Sequence, residues 1–267
     1  HASKANQLVS KEHAADIRNE LEEIATRTNW LLNNSSSIST SSCVDSNSPT
    51  TLFIFGPSRS GKTTLEGLLG QHPNVQKGYE NPIIRKAIQT AYHEAGFFPT
   101  RSMAHLPPQF YPNVTKHYTA NLPTVSESHC VFTNTTPGYL WDAPFFHSVI
   151  PNSRFVFVKR NINDLIWRIY TKSYRAGNWY SYDLSSLKEY ITKYYQIVDL
   201  MADLMPQKVR VINYEELVSN PADICTEVLT DCGVSTDASL SYGEVQNDVG
   251  CSNLFQALMQ SEIGREL

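Results

Sequence analysis

Apolar residues recur at helical spacing near the amino end of the chain and gather into short runs of strand length further on. Residues 11–32 carry apolar side chains at roughly helical spacing, which predicts a helix. Residues 33–50 are rich in Ser and Asn, whose side chains compete with the backbone for hydrogen bonds, so we predict a linker. The chain is therefore expected to divide into an N-terminal helix with its linker, residues 1–50, and a main domain, residues 51–267.

After residue 50, short apolar runs alternate with amphipathic stretches. The runs at 52–55, 130–133, 154–158 and 209–212 have the length and composition of buried strands. The stretches around them predict helices at 62–70, 82–95, 139–147, 164–174, 184–205 and 221–232. Strands separated by helices usually run parallel, so the pattern predicts an α/β fold in three layers, with a central parallel sheet flanked by helices. The N-terminal helix is added to this core.

One loop of the main domain carries a specific pattern. Residues 56–63 read Gly-Pro-Ser-Arg-Ser-Gly-Lys-Thr, which satisfies G-x-x-x-x-G-K-[ST] between an apolar strand and a helix. The backbone N–H groups of such a loop converge on an anion together with the helix N-terminus, and Lys62, Thr63 and Thr64 add donors. We therefore predict a P-loop fold with an anion cradle at residues 57–64.

The composition restricts the class of protein. The 267 residues are 41% hydrophobic and 18% charged, with a formal net charge of −4, which fits a folded protein and argues against a general nucleic-acid binder. No apolar run is long enough to span a bilayer and the amino end shows no signal-peptide pattern, so a soluble protein is expected, with the cytoplasm favoured. The compartment stays open, because a targeting segment upstream of His1 would not be visible. The five cysteines have no metal-ligand spacing with the eight histidines.

The loop alone also fits an enzyme that uses ATP or GTP. Such an enzyme needs a Mg²⁺-binding acid at the end of a second apolar strand, but the strand at 154–158 ends in Lys159 and Arg160. A basic strand end suits a second phosphate better than a metal ion. Glu215, after the last predicted strand, keeps a Mg²⁺-dependent kinase open as an alternative.

Four motifs follow one another along the main domain. They are P-x-R-S-G-x-T-T-L from Pro57, H-P-x-V from His72 with Glu80 five residues beyond its valine, a strand ending in Arg160 before a helix with an aspartate, and V-x-x-Y-E-x-L-V-x-x-P from Val211. This order resembles the sulfotransferases that use 3′-phosphoadenosine 5′-phosphosulfate (PAPS), and it is most similar to the tyrosylprotein sulfotransferase branch and its bacterial relatives. The resemblance covers residues 52–233 and continues more weakly to residue 267.

The resemblance implies a role for each matching residue. Glu80 would act as general base on the acceptor hydroxyl, with Arg59 as a catalytic cation at the transferring group. Residues 59–64 would hold the 5′-phosphosulfate and Arg160 the 3′-phosphate. In full, the donor-binding residues would be Arg59, Ser60, Gly61, Lys62, Thr63, Thr64, Arg160, Arg168, Lys172, Tyr214, Ser252 and Arg265, the last two from elements that close over the nucleotide.

Several of these residues also have plainer interpretations. Glu80 precedes a predicted helix, and acidic residues favour a first helical turn. Lys172 fits a solvated charge about three helical turns beyond the end of the strand at 154–158. Tyr214 fits a buried core tyrosine equally well. Each assignment is therefore an expectation.

Three positions depart from the family pattern. Thr135 stands where the tyrosine-sulfating relatives have a lysine near the transferring group, and Lys62 stands where the donor loop usually has a threonine. We hypothesise that Lys62 supplies the missing cation from a different backbone position. Arg168 stands where the family has a serine at the 3′-phosphate, and it either holds that phosphate by bidentate contact or points outward.

The sequence thus predicts an enzyme, a PAPS-dependent sulfotransferase, that needs no metal ion if lysine and arginine supply the charge. It would sulfate a hydroxyl of a protein tyrosine, a carbohydrate or a small molecule, with adenosine 3′,5′-bisphosphate as the second product. No nucleic-acid or membrane partner is expected for this chain, and a homodimer is one option for its oligomeric state. A Mg²⁺-dependent P-loop kinase and a catalytically inactive nucleotide-binding homologue are the alternatives.

Overall fold

The computed structural model of the chain describes residues 2–35, 48–96, 107–123 and 131–235. Its strands are β1 (Thr50–Phe55), β2 (Val75–Gln76), β3 (Val131–Asn134), β4 (Ser153–Lys159) and β5 (Val209–Asn213). Its α-helices are α1 (Ala2–Glu12), α2 (Ala14–Asn33), α3 (Lys62–Leu69), α4 (Ile83–Glu94), α5 (Tyr111–Ala120), α6 (Ala143–Val149), α7 (Ile162–Tyr170), α8 (Leu184–Leu204), α9 (Tyr214–Ser219) and α10 (Pro221–Asp231).

The strands form one parallel sheet in the order β2-β3-β1-β4-β5. β1 lies at the centre, and its Phe53 stands opposite Asn134 of β3 on one side and Phe155 of β4 on the other. Every strand pair is parallel, because each strand returns through helices to the same end of the sheet. The predicted α/β fold with a central parallel sheet flanked by helices is confirmed.

Successive residues of β1 point to opposite faces of the sheet and enter two separate cores. Phe53 and Phe55 join a large cluster with buried residues of α4, α5, α6, α7 and α8. Leu52 and Ile54 join a smaller cluster with α3, α9 and α10. All four residues are buried, which explains why this strand reads as a continuous apolar run rather than an alternating one.

The N-terminal helices pack on the body of the domain. Leu31 of α2 belongs to the large core cluster, and Arg27 forms an ion pair of 2.8 Å with buried Asp142. The indole N–H of Trp141 donates to the Thr28 hydroxyl at 3.0 Å. The predicted helix at 11–32 corresponds to most of α2, and most of the predicted linker lies outside the described residues. The division at residue 50 stays a prediction.

Several predicted elements differ from those observed. The segment predicted as one helix, residues 139–147, falls in two elements: the 3₁₀ helix Pro137–Asp142 and the α-helix α6 that follows it. Pro144 lies in the first turn of α6, where proline is tolerated. α7 ends at Tyr170, where its buried apolar face ends, so Lys172 follows the helix instead of lying on it. No described helix is both long and apolar enough to cross a bilayer.

Candidate functional site

The predicted anion loop lies at the carboxyl ends of β1 and β4, where a cleft of about 250 Å³ opens. Ligands of open parallel sheets bind at this end of the strands. The cleft is formed by the loop, the start of α3, the turn before α4 and residues that follow β3, β4, α7 and β5. The described residues that line it are Ser58, Arg59, Gly61, Lys62, Thr63, Thr64, Glu80, Pro137, Arg160, Lys172 and Tyr214.

The loop has a conformation that requires glycine at residue 61. Gly61 has a φ of 108°, and a Cβ at this residue would lie 2.2 Å from Cδ2 of Tyr214. Arg59 also has a positive φ, of 67°. α3 begins directly after Gly61, and the N–H groups of its first turn have no carbonyl partner within the helix. The loop and the helix start therefore offer backbone donors to an anion in the cleft.

Replacing Gly61 with alanine should destabilise the protein and weaken anion binding. A left-handed alanine costs about 1–2 kcal/mol, and displacing the Tyr214 ring adds about 1–3 kcal/mol. Thermal unfolding with and without adenosine 3′,5′-bisphosphate should show a lower Tm and a smaller rise on ligand addition. Gly67→Ala is the matched control, because nothing lies within 4 Å of an added Cβ on this face of α3. Equal Tm values and equal rises on ligand addition in Gly61→Ala and Gly67→Ala would contradict the requirement for glycine at residue 61.

Lys62 is buried beneath the cleft and bends back onto the loop. Its Nζ donates to the carbonyl oxygens of Gly56, at 2.7 Å, and Pro57, at 3.1 Å. Burial lowers the pKa of Lys62 to about 8, while nearby Glu80 raises it and nearby Lys172 lowers it. Lys62 is therefore a cation whose charge state responds to a bound anion at mildly alkaline pH.

Glu80 lies in the turn between β2 and α4, exposed and lining the cleft. The end of β3 anchors this turn: the Thr135 N–H donates to the Tyr79 carbonyl at 3.0 Å, and Asn134 Nδ2 donates to the Asn81 carbonyl at 3.2 Å. Thr135, the residue at which the sequence comparison expected a lysine, is itself buried and contributes a backbone contact. The cations that share the cleft with Glu80 therefore come from other elements.

A second carboxylate, Glu66, lies near this turn, and no motif in the sequence marks it as functional. Glu66 on α3 is 1% exposed, and its Oε1 accepts hydrogen bonds from the Tyr79 N–H, at 3.0 Å, and from the Thr133 hydroxyl. The sequence carries one sign that Glu66 is buried. Glu66 lies three residues before Leu69, so both residues lie on the buried face of α3. Its partners are distant in sequence, so the pattern of α3 alone does not reveal what it contacts.

Arg160 reaches the cleft with a buried network behind it. Its Nε donates to Asp164 at 2.5 Å, and Arg168 Nε donates to both oxygens of the same carboxylate at 3.1 Å. The Arg160 guanidinium lies 4.0 Å from the centroid of the Tyr214 ring, and its Nη1 donates to the Arg59 carbonyl at 3.1 Å. Arg168 is buried, so the outward orientation that the sequence left open is wrong. Asp164 is the partner of both arginines, and the side chain of Asn161 caps α7.

The structure brings most of the predicted residues together. Lys172 lines the cleft although it lies beyond the end of α7, whereas Arg168 and Ser60 are buried and are not among the described lining residues. Ser252 and Arg265 lie outside the described residues. The residues that line the cleft as predicted are Arg59, Gly61, Lys62, Thr63, Thr64, Glu80, Arg160, Lys172 and Tyr214.

The donor set fits a polyanion. Ser60 is 1% exposed, and its hydroxyl has no hydrogen-bond partner among the described residues, which is costly for a buried polar group. Cationic side chains approach the cleft from the loop at Lys62 and from the end of β4 at Arg160. Glu215, the acid considered for Mg²⁺, accepts the Asn161 N–H at 3.0 Å and is not among the described lining residues. These groups fit PAPS, whose ribose carries a 5′-phosphosulfate and a 3′-phosphate.

Comparison with known proteins gives one family match and several distant relatives. Residues 49–238 match the Sulfotransferase family. The protein-tyrosine sulfotransferase of Drosophila melanogaster is 24% identical over 213 residues, covering 73% of this chain and 40% of that protein. An uncharacterized protein of Aquifex aeolicus is 21% identical over 216 residues, covering 77% of this chain and 28% of that protein. The chain therefore spans less than half the length of either relative.

The solved structures that the chain matches include the sulfotransferase domain of the Synechococcus PCC 7002 olefin synthase. It superposes with a TM-score of 0.49 at 18% identity, over 82% of this chain and 85% of that domain. The family match is independent of this superposition and extends over most of the chain, from the start of β1 to beyond α10. The chain belongs to the sulfotransferase family.

Proposed function

We propose that this chain transfers a sulfuryl group from PAPS to the hydroxyl of an acceptor. The observation that carries the proposal is the shared cleft: Glu80 lines it together with Lys62 of the anion loop and Arg160 at the end of β4. A base beside two separated cationic groups suits transfer from a nucleotide that has two separate anionic groups. Membership of the sulfotransferase family supports the same reaction.

Each part of the cleft has a role in this proposal. Residues 59–64 would hold the 5′-phosphosulfate, and Arg160, whose guanidinium lies over the Tyr214 ring, would hold the 3′-phosphate. Arg168 acts through Asp164, which both arginines share, and so fixes the direction of Arg160. Lys172 lines the same cleft and adds a further cation to it. Ser252 and Arg265 are proposed to complete the nucleotide site.

The proposed reaction is a single displacement at sulfur. Glu80 takes the proton of the acceptor hydroxyl while the acceptor oxygen bonds to sulfur. The bond from sulfur to the bridging phosphate oxygen breaks, and adenosine 3′,5′-bisphosphate leaves. Lys62, Arg59 and the loop amides stabilise the negative charge that develops on the bridging and outer oxygens. The chain thus supplies the positioning, the base and the cations, and PAPS supplies the sulfuryl group.

Arg160→Ala should remove the preference for a 3′-phosphate. A lost contact between arginine and phosphate should weaken adenosine 3′,5′-bisphosphate binding by about tenfold to a hundredfold. Adenosine 5′-phosphate, which lacks that group, should bind with nearly unchanged affinity when both are measured by calorimetry. Arg210→Ala is the control, because Arg210 pairs with Asp231 and Glu227 away from the cleft. An equal loss for both nucleotides would contradict the assignment of Arg160.

Transfer from sulfur-labelled PAPS to a panel of acceptors tests the proposed activity. The panel comprises tyrosine-containing peptides, carbohydrates and small-molecule alcohols or phenols, because the cleft residues described do not select among these classes. The expected result is label incorporation into one class that requires the enzyme and not Mg²⁺. Binding of adenosine 3′,5′-bisphosphate without transfer to any class would contradict the proposal and support a catalytically inactive homologue.

A further inference from the structure

A buried carboxylate that the proposed reaction does not use lies between the anion loop and the turn that carries Glu80. Glu66 lies on α3, one helical turn after Lys62, and its Oε1 accepts the Tyr79 N–H at 3.0 Å. The same oxygen accepts the Thr133 hydroxyl, whose oxygen in turn accepts the Gly78 N–H at 2.9 Å. The Tyr79 N–H therefore bonds directly to one carboxylate oxygen of Glu66, and the Gly78 N–H is linked to the same oxygen through the Thr133 hydroxyl.

The turn held in this way is conformationally unusual. Tyr79 has a φ of 52°, in the left-handed region that a tyrosine rarely occupies, and it is 55% exposed, so burial of its ring does not enforce that conformation. Its N–H bonds to Glu66, and its carbonyl accepts the Thr135 N–H at 3.0 Å. A Cβ at Gly78 would lie 2.0 Å from the Thr133 carbonyl, which shows how closely the turn approaches β3. Such a strained residue persists only where its surroundings fix it from several sides.

We propose that Glu66 is a positioning residue that fixes Glu80 relative to the donor loop. Glu80 directly follows Tyr79, and Glu66 shares a helix with Lys62, so one rigid element carries the Lys62 cation and holds the turn of the base. A charged acceptor makes stronger hydrogen bonds than a neutral one, which suits an oxygen that receives two donors. Glu66 is buried and acts through Tyr79, not on the substrate. The inference rests on the proposed role of Glu80 as general base.

Three variants test the role of Glu66. Glu66→Ala should lower kcat by about a hundredfold, the effect of a misplacement of about 1 Å in a catalytic group. The affinity for adenosine 3′,5′-bisphosphate should stay close to that of the wild type, because the loop contacts remain. Glu66→Gln keeps an acceptor oxygen, so its kcat should lie between those of the wild type and Glu66→Ala. Thr133→Val should lower kcat in the same way as Glu66→Ala, and it replaces the alanine variant if that variant fails to fold. Glu94→Ala, an exposed glutamate on α4 paired with His117, is the control and should leave both quantities unchanged.

A double-mutant cycle with Glu80→Gln separates positioning from general stability. If Glu66 acts by placing Glu80, its removal should cost little once Glu80 has lost its carboxylate, so the two effects should be far from additive. Fully additive effects on kcat would overturn the positioning role while leaving Glu80 as the base. Wild-type kcat in Glu80→Gln alone would instead remove the proposed base, and the role of Glu66 with it.

Hydrogen exchange at the Tyr79 amide tests the contact without any activity. Loss of the Glu66 acceptor should speed exchange at this amide by at least about tenfold, the factor that corresponds to a lost hydrogen bond of ordinary strength. Exchange at α8 amides should not change. An unaltered Tyr79 rate in Glu66→Ala, or an unaltered Gly78 rate in Thr133→Val, would overturn the inference even if sulfuryl transfer is confirmed.

Discussion

Glu80→Gln should lower kcat by about a hundredfold to ten-thousandfold, the range in which a positioned general base contributes. The amide keeps the size of the side chain and removes the group that takes the acceptor proton. Glu80 is exposed in its turn, so neither folding nor the contacts of the anion loop should suffer. Steady-state kinetics with PAPS and the acceptor found in the screen give kcat, and calorimetry with adenosine 3′,5′-bisphosphate checks that donor binding is intact.

A shorter carboxylate at the same residue distinguishes a base from a residue that only binds. Glu80→Asp retains a proton acceptor, so it should recover part of the rate that Glu80→Gln loses, with the same affinity for adenosine 3′,5′-bisphosphate. More than about half of wild-type kcat in Glu80→Gln would contradict the assignment, since no proton acceptor would then be needed at this position.

Lys62→Met should lower kcat by about a hundredfold to a thousandfold, as expected when one donor to the developing charge is removed. Methionine replaces the buried stem of Lys62 and leaves out the charge. This tests the hypothesis that Lys62 supplies the cation that Thr135 does not. Lys188→Met, at an exposed residue of α8, is the control for the loss of a positive charge. Near-normal kcat with unchanged PAPS binding in Lys62→Met would refute the hypothesis.

Lys62 should also make nucleotide binding depend on pH. Burial lowers its pKa to about 8 in the ligand-free protein, and a bound anion should raise it again. Below pH 8 the ammonium is already charged, whereas above pH 8 binding must take up a proton. The affinity for adenosine 3′,5′-bisphosphate should therefore fall by at most about tenfold per pH unit above this value. Calorimetry of Lys62→Met should show that dependence reduced; an identical decline in the variant would contradict the link to Lys62.

The features that depend on local pattern were predictable from the sequence. β1 is buried on both faces and precedes a glycine-containing loop with a lysine at the helix start, so strand, loop and helix follow from residues 52–70 alone. Arg160 was predictable for the same reason, since it directly follows the apolar strand β4. Glu80 needed the family resemblance, because an exposed glutamate before Pro82 has no distinguishing pattern of its own.

The remaining features depend on contacts between distant residues. β2 has only two residues, and it exists because Val75 pairs with Val131 of β3. α5 buries only Val114 and Tyr118, which is too few for a clear apolar periodicity. Glu66 contacts Thr133, 67 positions away, so its role becomes visible only in the folded chain. The contacts behind the cleft, which join residues far apart in sequence, are thus the part of the structure that sequence patterns do not reveal.

Binding of adenosine 3′,5′-bisphosphate and of ATP, each with and without Mg²⁺, tests the central claim most directly. Isothermal titration calorimetry on the wild-type protein needs no knowledge of the acceptor. The proposed function predicts tight binding of the bisphosphate that is independent of Mg²⁺, with Arg160 and the loop at residues 59–64 holding its two charged ends. Binding of ATP alone, and only in the presence of Mg²⁺, would contradict it and support a kinase.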